Sequence, residues 1–360
     1  MKYKSVVFSS DDKKSVHRFL HFPSKLYPKK QRMQNPSTEK ALLSGTHILS
    51  HYFTVYPFLL YDNDNKVAGR CILTVYPESP CAYIGFFECI NDSDAAKCIF
   101  DEAETFAKKL GCNSVVGPVD ASFWIRYRLK TNAFDKNPYT GEPYNLPYYE
   151  QFFIENGFSV SGEYISNRYG KIPQSFLNNK NVRRIQHFSD CGYSICSLSA
   201  ESFEKSLHDI YKMLIHVYSD FQTFSYITED EFCELYSSMK YIADYDMVKI
   251  AYYKEKPVGF FVTLPNYGSA SSGNMTLSNL WHIHNIKNAP DDYILLYLGI
   301  EPEHLGLGKA LSEDILRQIC QKQAFSIGAL VRKGKVTGSY FSKLIEEQYT
   351  YALYEKNLMQ

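Results

Sequence analysis

Two glycines at a strand-to-helix junction form the clearest candidate for chemistry in this sequence. Gly306 and Gly308 follow an apolar run from Tyr293 to Ile300 and precede a segment with apolar residues at helical spacing. Glycine lets a ligand approach the backbone closely, and the first N–H groups of a helix have no partner within that helix. The helix dipole also favours negative charge there. The pattern therefore predicts an anion site. Lys309 could add a positive charge there or be a solvated lysine at the helix start.

Two histidines, His282 and His284, are the candidates for a general base. Imidazoles titrate near neutral pH, and the alternation in segment 280–284 predicts that both face one side of a strand. An alternative interpretation is that both are partly buried polar side chains with a structural role. A metal pair would need a third ligand, which the sequence does not indicate. We therefore expect no metal.

A strand–helix–strand unit must position the glycines. Apolar, β-branched and aromatic runs predict a hairpin from segments 247–253 and 258–264, a strand at 293–300 and a strand at 326–331. Between those last two strands, apolar residues at helical spacing predict a helix at 307–322. The predicted order is hairpin, strand, helix, strand.

The first half of the chain repeats this order. Segments 58–61 and 67–75 flank a turn, a strand follows at 83–90, a helix at about 95–110 and a short strand at 114–118. Such repetition predicts a duplicated, mixed α/β fold. We place the N-terminal domain at 1–172, a linker at 173–182 and the C-terminal domain at 183–360.

These residues resemble the GNAT superfamily of acyl-CoA-dependent N-acyltransferases. The pyrophosphate loop of that superfamily is Arg/Gln-x-x-Gly-x-Gly/Ala; Gly308 and Ala310 match its last two fixed positions, and Leu305 occupies its first. Segments 117–124 and 142–158 resemble a bacterial group of tandem GNAT proteins. The resemblance extends from about residue 55 to the end. It implies an α+β fold with two tandem GNAT-like domains, each a mixed twisted sheet flanked by helices.

The resemblance also implies a donor and the residues that hold it. The co-substrate would be acetyl-CoA or another acyl-CoA, whose pantetheine arm bonds the backbone of the strand before the loop. In the superfamily a tyrosine on the helix after the fifth strand often acts as general acid, which implies Tyr340 here. The implied donor-binding residues are Leu298, Gly299, Ile300, Leu305, Gly306, Leu307, Gly308, Lys309 and Ala310.

The two halves differ at the junction itself. After the strand at 83–90 the loop contains Asp92 and Asp94 and no glycine. Carboxylates at a helix start repel a pyrophosphate, so we expect the N-terminal copy to have lost donor binding. The first half also carries a long insertion at 119–147. Connections of that length are often functional. It could cover an acceptor site or form a packing strap between the domains.

Composition and charge exclude several functions. Lys and Arg total 39 and Asp and Glu total 39, which argues against a nucleic-acid binder. No apolar run reaches the roughly 20 residues of a membrane span, and the first residues do not resemble a signal peptide. The 9 cysteines are scattered singly, which is typical of a reduced, cytoplasmic protein.

The sequence leaves two classes of function open. The first is an N-acyltransferase that transfers an acetyl or other acyl group to an amine of a small molecule or peptide. The second is a non-catalytic or acyl-carrier-protein-dependent tandem-GNAT binding module. A donor taken from charged tRNA, as in Fem-like aminoacyltransferases, is disfavoured by the zero net charge. We expect no membrane partner, and a homodimer is left open.

Overall fold

The computed structural model describes residues 2–177, 179–272, 277–335, 338 and 341–359. Internal contacts divide the chain into two compact units. This division differs from the sequential domains 1–172 and 183–360, because the chain returns to the first unit after leaving it. A helix also begins at Asn179, inside the predicted linker. The first unit comprises Met1–Tyr164, Gly268–Met275 and Thr350–Gln360, and the second comprises Ile165–Tyr267 and Thr276–Tyr349.

The first unit is a mixed sheet with helices. Its strand order is β1-β2-β3-β4-β5-β13-β7, where β13 is Ile345–Asn357 and β6 lies beside it; β4 and β5 are parallel. Strand β7 runs on into the second unit after Tyr164, and β13 enters the first unit at Thr350. The elements are β1 (Tyr3–Val7), α1 (Lys13–His21), α2 (Pro23–Leu26), α3 (Pro36–Leu43), β2 (Thr54–Asp62), β3 (Val67–Val75), β4 (Cys81–Cys89), α4 (Ser93–Lys109), β5 (Ser114–Gly117), β6 (Leu129–Lys130), α5 (Tyr149–Glu155) and β7 (Ser159–Tyr169).

The second unit repeats the central part of this arrangement. Its strand order is β7-β12-β11-β10-β9-β8, and β11 and β12 are its parallel pair. The elements are α6 (Asn179–Asp190), β8 (Tyr193–Ser197), α7 (Phe203–Tyr218), α8 (Glu229–Tyr236), β9 (Val248–Tyr253), β10 (Lys256–Pro265), α9 (Leu277–Asn288), β11 (Asp292–Ile300), α10 (Leu307–Lys322), β12 (Phe325–Arg332) and β13 (Ile345–Asn357).

Apolar periodicity explains why the two central helices form and which faces they bury. In α4, Ile99 and Phe100 are fully buried against the strands of the first unit. In α10, Leu311, Ile315 and Ile319 are fully buried in the core of the second unit. Each fully buried large apolar side chain contributes roughly 1.5–3 kcal/mol. This packing fixes where the N-terminus of each helix lies relative to its own sheet.

The predicted order of elements is confirmed in both halves. Both hairpins, both central strands, both helices and both following strands lie within a few residues of their predicted bounds. The mixed α/β fold class is likewise confirmed. The last strand is where the sequential description fails, because residues 354–357 of β13 pair with β5 of the first unit.

Candidate functional site

The parallel strand pair of the second unit separates just before the glycine loop. β11 pairs with β12 only from Asp292↔Phe325 to Leu295↔Gly328, although β11 continues to Ile300. On its other edge β11 remains paired with β10 as far as Ile300. Residues 296–300 therefore present one backbone edge that the β11–β12 ladder does not use. An extended ligand can hydrogen-bond such an edge as a strand would.

A β-bulge bends the central strand of each unit at the matching place. In the second unit Val262 pairs with Tyr297 and Thr263 pairs with Leu295, so β11 carries one extra residue. In the first unit the register shifts in the same way between β3 and β4. Bulges increase the local twist and are frequent next to active sites. The shared bulge is a further likeness between the two units that sequence patterns did not reveal.

The loop before α10 leaves a backbone donor available. Gly306 has φ +92°, a left-handed conformation that glycine adopts without strain, and none of the described side chains caps the helix. The N–H groups of Leu307 and Lys309 donate to the carbonyls of His304 and Gly306. Within the described part of the chain, no hydrogen-bond acceptor is found for the N–H of Gly308. The start of α10 therefore offers an N–H and the positive end of the helix dipole to an anion.

Several predicted donor residues lie together around Gly308. A Cβ on Gly308 would lie 3.4 Å from Ile300 Cγ1 and 3.9 Å from Leu298 Cδ2. Gly299, by contrast, is required by packing, since a Cβ there would lie 2.4 Å from the Phe260 ring. The side chain of Ala310 is fully buried in the core. Ala310 can therefore face a ligand only through its backbone.

The remaining predicted loop residues differ in burial. Leu307 is fully buried, whereas the side chains of Leu305 and Lys309 are exposed. Leu305 is 86% exposed.

Aromatic side chains flank the loop beside His304, and sequence reasoning missed these aromatic residues. The Tyr193 hydroxyl lies 2.7 Å from His304 Nδ1, and the Tyr193 ring stacks on Tyr253. Phe188 of α6 comes closest to Gly306, with its Cζ 3.8 Å from a Cβ built there. These contacts join distant segments: Tyr193 and Tyr253 are 60 residues apart in the chain, and Tyr193 and His304 are 111 apart. Local sequence patterns carry no signal for them.

The predicted strand that carried His282 and His284 is wrong. Both residues lie on helix α9, with exposed side chains, and residues two apart on a helix do not share a face. His284 Nε2 lies 2.9 Å from Asn288 Nδ2, one turn away. No hydrogen bond among the described residues joins either histidine to β11 or α10. Their role as a base stays a prediction, now without the shared face. Tyr340, the predicted acid, lies outside the described residues.

In the first unit, a carboxylate occupies the matching helix start. The Asp92 carboxylate accepts the N–H of Ala95 at 3.1 Å and so caps α4. It also accepts hydrogen bonds from Lys2 Nζ at 2.6 Å and from the Tyr3 hydroxyl at 2.9 Å. The hydrogen bond from Lys2, followed by that from the Ala95 N–H, lowers the pKa of Asp92 to about 2. The helix start therefore carries a permanent negative charge at neutral pH.

The chain itself also occupies the backbone edge of β4. The β4–β5 ladder is only three residue pairs long. Beyond it, the N–H of Val119 donates to the Ile84 carbonyl at 2.9 Å, and the N–H of Phe86 donates to the Asp120 carboxylate at 2.5 Å. Gly85 permits this close approach, because a Cβ there would lie 1.9 Å from the Val119 carbonyl oxygen. Residues 119–120 thus bond the part of β4 that corresponds to the part of β11 beyond the β11–β12 ladder.

A buried ion pair anchors the insertion at 119–147. Lys130 Nζ lies 2.5 Å from Glu142 Oε1, and both side chains are fully buried. The hydroxyl of Tyr351 and the N–H of Tyr139 also donate to the Glu142 carboxylate. The insertion is therefore a packed part of the first unit. The two roles that the sequence left open for it stay predictions.

The described residues contain neither a membrane-spanning helix nor a metal-binding cluster of three or more ligands. No described helix combines the length and apolar character needed to cross a membrane. Among the same residues, no group of three or more His, Cys, Asp or Glu side chains could hold a metal ion.

Comparison with known proteins identifies the fold. No protein-family profile matches the chain. Protein YghO of Escherichia coli (strain K12) is 20% identical over 279 residues, covering 75% of this chain and 70% of that protein. A tandem GNAT protein from the clavulanic acid biosynthesis pathway superposes with a TM-score of 0.55 at 9% identity, covering 99% of this chain and 98% of that one.

A second solved structure is a GCN5-related glucosamine N-acetyltransferase region of a fungal multi-domain GH3 β-N-acetylglucosaminidase. Its TM-score is 0.50 at 11% identity, and the match covers 98% of this chain and 38% of that one. At these identities the likeness concerns the fold. The chain has the tandem GNAT fold, as the glycine loop and the repeated element order predicted.

Proposed function

We propose that this chain is an acyl-CoA-dependent N-acyltransferase whose donor site lies in the second unit. The observation that carries the proposal is the backbone edge of residues 296–300, which lies beyond the β11–β12 ladder, beside a helix start that no described side chain caps. The edge suits a pantetheine arm, because in the superfamily the amides of that arm hydrogen-bond the backbone of the strand before the loop. The start of α10 suits a pyrophosphate, because the N–H of Gly308 and the positive end of the helix dipole both favour an anion there.

The reaction would join an amine to the donor's acyl group. The amine nitrogen attacks the thioester carbonyl, and the tetrahedral intermediate collapses with loss of the coenzyme A thiolate. The amine loses a proton and the thiolate gains one, for which Tyr340 is the proposed acid. Holding both reactants in place can itself contribute several kcal/mol. A backbone N–H of the bulged strand β11 would stabilise the oxyanion. The acceptor would be an amine of a small molecule or peptide.

A carrier-protein donor is the second candidate. It is favoured by Leu305, which is 86% exposed where the superfamily pattern has Arg or Gln. An apolar side chain cannot donate a hydrogen bond to a pyrophosphate. It can pack against a protein that delivers the acyl group on its own pantetheine arm. This candidate keeps the backbone edge of residues 296–300 and gives up part of the pyrophosphate contact.

Calorimetric titration with acetyl-CoA tests the proposal. We expect one saturable site per chain. Gly308→Leu should weaken binding at least about ten-fold, or about 1.4 kcal/mol, because its side chain fills the space beside Ile300 and Leu298. Gly308→Ala is the matched control, since its Cβ makes only ordinary contacts. It should bind nearly as the wild type does.

The outcomes separate the alternatives. Unchanged binding in Gly308→Leu would overturn the donor site, and a collapse of Tm in both Gly308 variants would make Gly308 a structural turn only. Two sites per chain would overturn the loss of donor binding in the first unit. If acetyl-CoA does not bind while an acylated carrier protein does, the second candidate is favoured. Tyr340→Phe should lower turnover more than donor affinity, and equal turnover would remove Tyr340 from the mechanism.

A further inference from the structure

Two histidines lie one turn apart on the first helix of the first unit. His17 and His21 belong to α1, and their imidazole rings stack with centroids 3.9 Å apart and an angle of 29° between the ring planes. Both residues are exposed. Residues four apart on a helix share a face, unlike His282 and His284, which are two apart on α9. Helix α1 therefore presents two imidazoles to solvent on one face.

The ring of His21 is oriented by its own helix. Its Nδ1 lies 3.0 Å from the carbonyl oxygen of His17. A carbonyl can only accept, so Nδ1 carries the proton in this hydrogen bond, and the neutral ring has its lone pair on Nε2. Histidines that bind metals are often held in this way, with one nitrogen donating to a carbonyl and the other binding the ion. No hydrogen bond among the described residues engages Nε2 of His21 or the ring of His17.

The spacing and type of these ligands select a class of metal ion. Two nitrogens that bind one ion at about 2.0–2.1 Å lie roughly 3–3.5 Å from each other. Rings stacked at 3.9 Å reach that separation by small side-chain rotations. Imidazole nitrogen suits zinc, copper and nickel, whereas magnesium and calcium require oxygen ligands. Among the described residues neither ring is paired with a carboxylate, so the pair favours the first class.

The cations near the pair on α1 leave room for an ion. Arg18 Nη1 donates to the Tyr61 hydroxyl at 3.2 Å, which holds this guanidinium against the Tyr61 ring. Lys13 and Lys14 lie one turn before His17 and are exposed. Their long stems can carry the ammonium groups into water, where salt screens them. The affinity for a metal ion therefore depends on the two imidazoles.

We propose that His17 and His21 together bind one divalent metal ion of the zinc, copper and nickel class. Water fills the remaining positions of the ion, since the described residues provide no group of three ligands. The ion links two successive turns of α1 and so stabilises this nine-residue helix, whose Phe19 is fully buried. The site lies wholly in the first unit. It goes beyond the proposed acyl transfer and does not depend on donor binding by the second unit.

NMR of the histidine rings in the full chain at about pH 7.5 tests the inference, with zinc chloride as the probe. We expect the ring signals of His17 and His21 to shift together and to saturate at the same zinc concentration, and magnesium chloride to shift neither. In His21→Gln the His17 ring should need at least about ten-fold more zinc, and the converse should hold for His17→Gln, because a chelate needs both nitrogens. His216→Gln is the matched control. His216 is exposed and has no histidine one turn away, so its loss should leave both titrations unchanged.

Three results would overturn the site: different zinc midpoints for the two rings, an unchanged titration of one ring after the other is replaced, or an equal response to magnesium. The first two would show independent histidines that each bind zinc weakly. Zinc held by the exposed thiols of Cys191 and Cys196 does not enter the test, because each ring signal is read separately. Should a variant fail to fold, the wild type still decides, since a chelate requires equal midpoints for the two rings.

Discussion

The parallel strand pairs of the two units have the same architecture. They differ in whether another segment of the chain bonds the backbone edge beyond the pair. In the second unit the β11–β12 ladder does not use the edge of residues 296–300, and no side chain among the described residues caps the start of α10. In the first unit residues 119–120 bond the corresponding edge, and Asp92 caps the corresponding helix. In a duplicated domain, the chain itself can therefore hydrogen-bond the backbone groups that would otherwise contact a ligand, while the fold is kept.

The chain's own groups have an advantage over any free ligand. A tethered segment is always present at high effective concentration, and much of the entropy of ordering it is lost already on folding. Gly85 makes this possible in the first unit, because only a residue without Cβ lets Val119 approach the strand so closely. We therefore propose that the first unit does not bind the acyl donor.

The largest effect on stability is expected from breaking the buried ion pair that anchors the insertion at 119–147. Lys130→Met leaves the buried Glu142 carboxylate without its cation, which should lower the free energy of unfolding by about 3–5 kcal/mol. Urea denaturation measures this loss. The control is Lys97→Met, which removes an exposed pair with Asp101 and should change stability by less than about 0.5 kcal/mol. Equal stabilities of the two variants would contradict the anchoring role.

The second effect concerns the first residue after the bulge, which is Glu88 in the first unit and Tyr297 in the second. Burial raises the pKa of Glu88 from 4.5 to about 7, so the folded protein binds this proton more tightly than the unfolded chain does. Stability should therefore fall as pH rises through this window, by about 3 kcal/mol. The free energy of unfolding at pH 4.5 and pH 8, in urea, measures the change.

The Glu88→Gln variant isolates this contribution from those of the other ionisable groups. Glutamine cannot ionise, so the difference in unfolding free energy between the variant and the wild type should change with pH by that same amount. Glu102→Gln, at an exposed position, should follow the wild-type profile. Parallel pH profiles for Glu88→Gln and the wild type would show that the Glu88 pKa is not raised.

The smallest effect is expected from restoring the superfamily pattern in the second unit. Leu305→Arg places a cation at an exposed position of the loop and should improve acetyl-CoA affinity by about 0.5–1 kcal/mol, or roughly two- to five-fold. Calorimetry at low salt measures the gain, and about 1 M salt should remove it by screening. Leu305→Met is the neutral control. An unchanged affinity at low salt would place the pyrophosphate away from residue 305.

Much of the fold was predictable, because local patterns determine strands and helices. The apolar run before Gly306 and the periodic run after it gave β11 and α10 nearly to the residue. The prediction of a strand around His282 was wrong because the local pattern behind it was too short. Its alternation covers only a few residues, and the twelve-residue helix α9 overrides it. A short alternating segment cannot be distinguished from part of a helix without its neighbours.

The sequence alone determined the order of the elements, the glycines at 306 and 308, and the carboxylate that caps α4. These features depend on residues close together in the chain, where propensity, capping and periodicity act directly. Only the tertiary structure decided that residues 119–120 bond β4, that β13 returns to the first unit, and that Glu88 faces a cavity. Such contacts join distant segments, and their free energy comes from packing and shared burial that no local pattern encodes.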